Sequence, residues 1–175
     1  WEMFREFGGD SGPLRGEKST TWDGGQRVPA VFYWPKTIAP AVSDALMTNT
    51  DVYATLASLA GSVIEKGEAL DSYDMSEVLL SGATSPRTKH LFRFKKPMAY
   101  RSGKYKIHFY TRERTRDPET GKEEVSKECT PPLLFNMEND ISESKNIAAD
   151  HPEVVKRLTK EFYKERDRIA TWGDE

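Results

Sequence analysis

At 175 residues the chain is long enough to bury a core, and its length suits one domain or one domain with an appendage. Its 26 basic and 28 acidic side chains nearly cancel, which gives no electrostatic case for nucleic acid or an anionic membrane surface as a partner. No apolar run approaches the roughly 20 residues that span a bilayer, and the lone Cys129 excludes an internal disulfide framework and any multi-cysteine metal site.

Residues 1–27 read as loop. The stretch "GPLRGEKSTTWDGG" at 12–25 holds four glycines, too many for a stable helix, and has no period-2 alternation for a strand. The apolar run Val28–Trp34, closed by Pro35, predicts a strand covered on both faces as in a parallel sheet. "TNTDVYATLASLAG" predicts a helix with Thr50 as N-cap, Asp51 in the first turn and Gly61 as the stop, its apolar face made by Val52, Leu56, Leu59 and Ala60. A shorter helix is expected over "DMSEVLLSG", ended by Gly82.

The second half changes character. "TKHLFRFKK", "PMAYRSGKYKIHFYT" and "PPLLFNMEND" predict successive strands of an antiparallel meander, with "RSGK" as a tight turn. Alternation in "KYKIHFY" places Tyr105, Ile107 and Phe109 on one face and Lys104, Lys106, His108 and Tyr110 on a polar one. Residues 111–130 are almost devoid of apolar side chains and read as a functional lip or a disordered excursion. "DHPEVVKRLTKEFYKERDRIATWG" predicts an amphipathic helix with Pro152 in its first turn and a stripe through Val155, Leu158, Phe162 and Ile169.

Lys18, in G-E-K-S-T-T, invites a phosphate-loop reading that its spacing refuses. That motif puts Lys directly after its second glycine, and here Glu17 intervenes. What remains is a loop whose backbone can approach a ligand closely, with a compact ammonium suited to a tetrahedral oxyanion. A surface lysine in a mobile loop is the other reading of the same residues. Arg15 and Arg27 are either ligand clamps or ion-pair partners of the nearby Glu17 and Asp23.

The longer stretch "GPLRGEKSTTWDGGQRVPAVFYWP" closely resembles a segment of type I sulfatases, arylsulfatase-like enzymes of the alkaline phosphatase superfamily. "TDVYATLASLAG", "RSGKYKIHFYT" and "PPLLFNMENDISESKNIA" resemble later segments of the same family, with Ser142 where proline often stands. The likeness covers nearly the whole chain and is nearest the arylsulfatase A-like branch.

The resemblance implies an α/β fragment: residues 1–85 as the last part of the catalytic central-sheet domain, carrying the lysine loop, a strand and helices. Residues 86–175 would form a small α+β C-terminal unit of antiparallel meander and terminal helix. It implies that Lys18 binds the sulfate of a small sulfated substrate and acts catalytically, in a parent sulfuric ester hydrolase. The family's nucleophile is a formylglycine made from Cys or Ser in [CS]-x-P-x-R. Cys129, in "ECTPPLL", lacks the arginine and is rejected. The family's calcium is held partly by a D-N-G segment that this sequence does not contain, and Asp10 is not assigned to it.

The expectation is therefore a piece whose formylglycine and calcium come from the remainder of the sulfatase chain, itself exported or lysosomal-like, and which is inactive alone. The start at Trp1, with no signal-like segment, fits a processed chain or an excised fragment. His108 is a candidate substrate contact, with a solvated strand histidine as the default; His90 and His151 are expected to be structural or exposed. The 111–130 loop is expected to help set specificity. Two other readings stand beside this one: a phosphatase or phosphodiesterase of the same superfamily, and a non-catalytic folding or interaction module.

Overall fold

The computed structural model describes residues 9–65, 67–112, 115–116, 123–124 and 126–170. The chain divides into two units, residues 29–88 and the combination of 1–28 with 89–175.

The larger unit is built on a sheet of four antiparallel strands in the order β1-β2-β3-β6. These are β1 (Lys89–Phe94), β2 (Lys96–Ser102), β3 (Tyr105–Thr111) and β6 (Lys127–Asn136). The expected meander is present, and Gly103, at a φ of 58°, makes the tight β2–β3 turn that a side chain would strain. Between β3 and β6 the backbone forms a two-stranded ribbon of β4 (Thr115–Arg116) and β5 (Glu123–Glu124). The rest of the expected 111–130 excursion lies mostly outside the described residues.

One face of the sheet is covered by a long C-terminal helix, Pro152–Ala170. Tyr100, Ile107, Phe109 and Leu134 meet Val154, Leu158 and Phe162 there in one apolar cluster, with Phe109 stacked on Phe162 at 4.2 Å. The buried stripe thus runs Val154–Leu158–Phe162, one i, i+4 row, with Val155 at its margin.

The opposite face departs from expectation. Lys106 and His108 alternate with Ile107 and Phe109 as predicted, but their face is buried rather than solvated: both have no exposed surface. The period-2 pattern shows which residues share a face. It does not show that a second layer, made by the glycine loop and the Glu143 segment, packs on the polar one. That loop contains α1 (Asp23–Gln26).

The smaller unit holds α2 (Asp51–Leu59) and α3 (Ser76–Ser81); the C-terminal helix is hereafter α4. Gly61 and Gly82 lie in the left-handed region at the helix ends, as expected. Thr50 makes no side-chain cap; Asp51, the first helical residue, instead accepts the N–H of Thr48 upstream of the helix at 2.8 Å. The buried face of α2 is Asp51, Ala54 and Thr55, not the expected apolar set, and Leu56 is 55% exposed. The reason is polar: Asp51 is held bidentately by Arg87 at 2.7 and 2.5 Å, and Thr55 Oγ1 accepts the Met75 N–H at 3.0 Å.

The expected strand at Val28–Trp34 is not formed. The segment has no regular secondary structure, Val31 is 90% exposed, and among the described residues no strand pairs with it. A parallel strand exists only when neighbours complete its ladder, so an apolar run alone cannot make one.

Candidate functional site

Lys18 stands at the exposed tip of a turn. The Thr20 N–H donates to the Glu17 carbonyl at 3.0 Å, and Ser19 lies at a φ of 76°, so residues 17–20 close a tight reversal with Lys18 at its second position. Thr20 Oγ1 also donates to Glu17 O at 2.8 Å, and Arg112 Nη1 donates to the Ser19 carbonyl.

The glycines explain how the turn is held. The Gly24 N–H donates to Arg15 O at 2.8 Å. A Cβ on Gly24 would lie 2.4 Å from Gly16 O, and one on Gly25 would lie 2.4 Å from Glu17 O and 2.5 Å from Thr20 Oγ1. Backbone therefore packs directly on backbone, and the Asp23–Gln26 turn braces the residues on either side of Lys18. Gln26 Nε2 adds a bond to Thr20 O at 2.7 Å.

Beneath the loop lies a buried charge cluster. Lys106 Nζ is 2.7 Å from Asp23 Oδ1 and 2.9 Å from Glu143 Oε1, with the Phe92 ring 4.2 Å away. Glu143 Oε1 also faces His108 Nε2 at 2.7 Å, while Oε2 accepts the Asp23 N–H at 2.7 Å. Arg15 Nη1 donates to the Glu143 carbonyl at 3.0 Å, and its guanidinium lies over the Trp22 ring at 3.6 Å. Arg27, half exposed, reaches Asp23 Oδ2 at 4.0 Å. The ion-pair reading of Arg27 is the one observed.

Burial drives the His108 pKa down from 6.5 to about 4, against the pull of the Glu143 hydrogen bond. The ring is therefore neutral at pH 7 and carries its proton on Nε2, toward Glu143. Burial would raise the Glu143 carboxyl, but the His108 hydrogen bond and the Lys106 charge outweigh it and hold the pKa below the ordinary value. Glu143 is thus a carboxylate at pH 7.

The structure places Lys18 and His108 in the same unit but in different settings, one exposed and the other sealed under Trp22, whose ring centroid is 4.5 Å from the imidazole. Sequence reasoning places Lys106 on a polar strand face and Asp23 beside Arg27, but joins neither to Glu143. The signal was present in the spacing Asp140-x-x-Glu143-x-x-Asn146. Asp140 accepts the N–H groups of Ser144 and Lys145, and Asn146 accepts those of Leu134 and Ala148. These bonds fix the segment from which Glu143 projects.

A groove of about 410 Å³ lies beside the loop, lined by Arg15, Trp22, Thr111, Thr130, Leu133 and Asn146. Cys129, half-buried in β6, also lines it. Among the described residues no group of three or more His, Cys, Asp or Glu side chains is arranged to hold a metal ion. Asp23 and Glu143 do converge, but on the Lys106 ammonium, which fills the place a cation would take. Asp10 is occupied by the Gly12 N–H at 2.8 Å. The calcium that the resemblance implies is assigned to the rest of the parent chain, and Asp10, Asp23 and Glu143, each already engaged, do not form a site for it.

Comparison with known proteins gives a consistent result. Residues 85–174 match the profile of the C-terminal region of aryl-sulfatase, and residues 4–62 match the sulfatase profile. Human arylsulfatase A is 38% identical over 166 residues, 86% of this chain and 32% of that protein. The arylsulfatase of Hemicentrotus pulcherrimus is 35% identical over 82% of this chain and 30% of its own length. The crystal structure of PsFucS1 sulfatase from Pseudoalteromonas sp. superposes with a TM-score of 0.73 at 31% identity, over 91% of this chain and 32% of that one. The chain thus spans about a third of the length of the relatives it matches.

Proposed function

The chain belongs to the sulfatase family, and on that premise we propose that it supplies the sulfate-binding lysine of an enzyme that hydrolyses sulfate esters. The observation that carries the reading is the setting of Lys18. It is an exposed ammonium on a turn whose backbone is braced on both sides by Gly24 and Gly25. An ammonium is a compact point charge with three donors, suited to a tetrahedral anion. Presented from that braced backbone, it stabilises the charge that gathers on the sulfuryl and leaving oxygens as the S–O bond breaks.

The nucleophile and metal of such an enzyme are assigned to the rest of the parent chain, and these 175 residues alone are expected to be inactive. The substrate is a small sulfated molecule, and the parent is exported or lysosomal.

The test is hydrolysis of p-nitrophenyl sulfate by the longer sulfatase chain that contains these residues. Lys18→Ala is expected to lower kcat/KM on the order of 10²- to 10³-fold, the usual loss for one preorganised charge-stabilising donor. Unchanged turnover in Lys18→Ala overturns the role of Lys18. A preference for p-nitrophenyl phosphate over the sulfate moves the enzyme to the phosphatase branch, and turnover by the 175 residues alone overturns their inactivity.

A further inference from the structure

Three observations bear on how Lys18 is held. The first is that beyond the Glu143 carboxylate the link to the turn runs through backbone. Glu143 accepts the Asp23 N–H, the Gly24 N–H donates to Arg15 O, and Gly25 abuts Glu17 O and Thr20 Oγ1. No flexible side chain stands in series after Glu143, so a displacement of Asp23 is passed to residues 17–20 with little slack.

The second is the make-up of the anchor. Lys106, Asp23 and Glu143 are all buried and mutually paired, and His108 presents a neutral ring to the same carboxylate oxygen. A buried ion pair is a poor source of stability compared with apolar residues of the same volume. What it supplies is geometry, because each contact is directional and Glu143 Oε1 is held by both Lys106 and His108 while Oε2 is held by the Asp23 N–H.

The third is backbone strain at the anchor. Glu143 lies at a φ of 50°, a region that a residue with a side chain adopts only where its surroundings demand it. The demand is visible: Arg15 Nη1 binds its carbonyl and its own N–H donates to Asp140 O at 3.2 Å. Both Oε1 and Oε2 are engaged as well.

We propose that Glu143 is a positioning residue for Lys18, clamping the Asp23 end of the glycine loop to Lys106 and His108 and thereby setting where the turn presents its ammonium. The proposal rests on the sulfate-binding reading of Lys18. Glu143 itself touches no substrate.

The test is a double-mutant cycle in the longer sulfatase chain, read as kcat/KM on p-nitrophenyl sulfate. Glu143→Gln is expected to lower it on the order of 10- to 100-fold, the scale set by misplacing a catalytic group by about an ångström. Because Glu143 acts through Lys18, the same substitution in a Lys18→Ala background is expected to change kcat/KM by less than about twofold. Losses that multiply assign Glu143 a merely structural part and overturn the proposal while Lys18 keeps its role. If Lys18→Ala alone has no effect, the reading of Lys18 fails and the proposal with it.

Should Glu143→Gln not fold, Glu143→Asp, which keeps the buried charge but shortens its reach to the Asp23 N–H, enters the same cycle with the same two outcomes. A further measurement needs no variant. Amide hydrogen exchange on the unsubstituted chain is expected to protect Thr20 and Asp23 to within about threefold of each other, as one opening unit requires. Fast exchange at Thr20 beside a protected Asp23 shows the turn moving independently and also overturns the proposal.

Discussion

Glu143 Oε2 accepts the backbone N–H of Asp23 at 2.7 Å, across 120 residues of sequence. The bond joins the glycine loop near one end of the chain to the segment after β6, and Lys106 lies between the two carboxylates. Removing the ammonium leaves two buried anions facing each other. Lys106→Met is expected to destabilise the chain by about 3–5 kcal/mol, measured as a lowered urea midpoint. The double variant Lys106→Met, Glu143→Gln is expected to recover part of that loss by removing one of the stranded charges. A single variant as stable as the parent would mean the cluster is hydrated rather than sealed.

His108 makes the fold sensitive to acid, with a definite sign. Its pKa is about 4 in the folded chain and 6.5 when unperturbed, so between those values the unfolded state binds more protons and stability falls as pH drops. The loss approaches on the order of 3 kcal/mol by pH 4. Glu143, held low, adds a further loss as pH falls through its folded value. His108→Gln, which keeps a donor toward Glu143, is expected to flatten the dependence between pH 6.5 and 4. Urea midpoints at pH 7, 5.5 and 4.5 decide it, and an unchanged slope places the proton uptake elsewhere.

The loop glycines separate by position. Gly24→Ala drives a methyl to 2.4 Å from Gly16 O, whereas a Cβ on Gly9 meets nothing within 4 Å. The first is expected to cost about 2–3 kcal/mol through backbone displacement, and the second to be close to neutral. Thermal unfolding of the two variants side by side checks this, and equal midpoints would mean that the loop gives way freely.

Asp51 and Arg87 carry the same logic in the 29–88 unit. Burial pushes the Asp51 carboxyl up, but the Arg87 hydrogen bonds and the N–H groups of Tyr73 and Thr48 hold it below its ordinary value. Arg87→Met strands that carboxylate and is expected to cost about 3–5 kcal/mol. Amide exchange at Thr48 and Tyr73, which donate to Asp51 at 2.8 Å each, should quicken in the variant. Protection that stays unchanged there would show that the carboxylate is held without the arginine.

The sequence by itself determined the local elements whose causes are local. Gly103 marks the β2–β3 turn, Gly82 ends α3, and alternation in Tyr105–Phe109 sorts side chains between two faces. The motif from Gly12 to Pro35 also carried the family, because many fixed positions coincide. Only the tertiary structure decided what each face meets. Lys106 and His108 are buried because Asp23 and Glu143, distant in sequence, bring compensating charge to them, and Asp51 turns inward because Arg87 awaits it. Val28–Trp34 is not a strand because a ladder needs a neighbour. Periodicity reports the shape of one segment, whereas burial of a charge depends on a partner that chain order does not reveal.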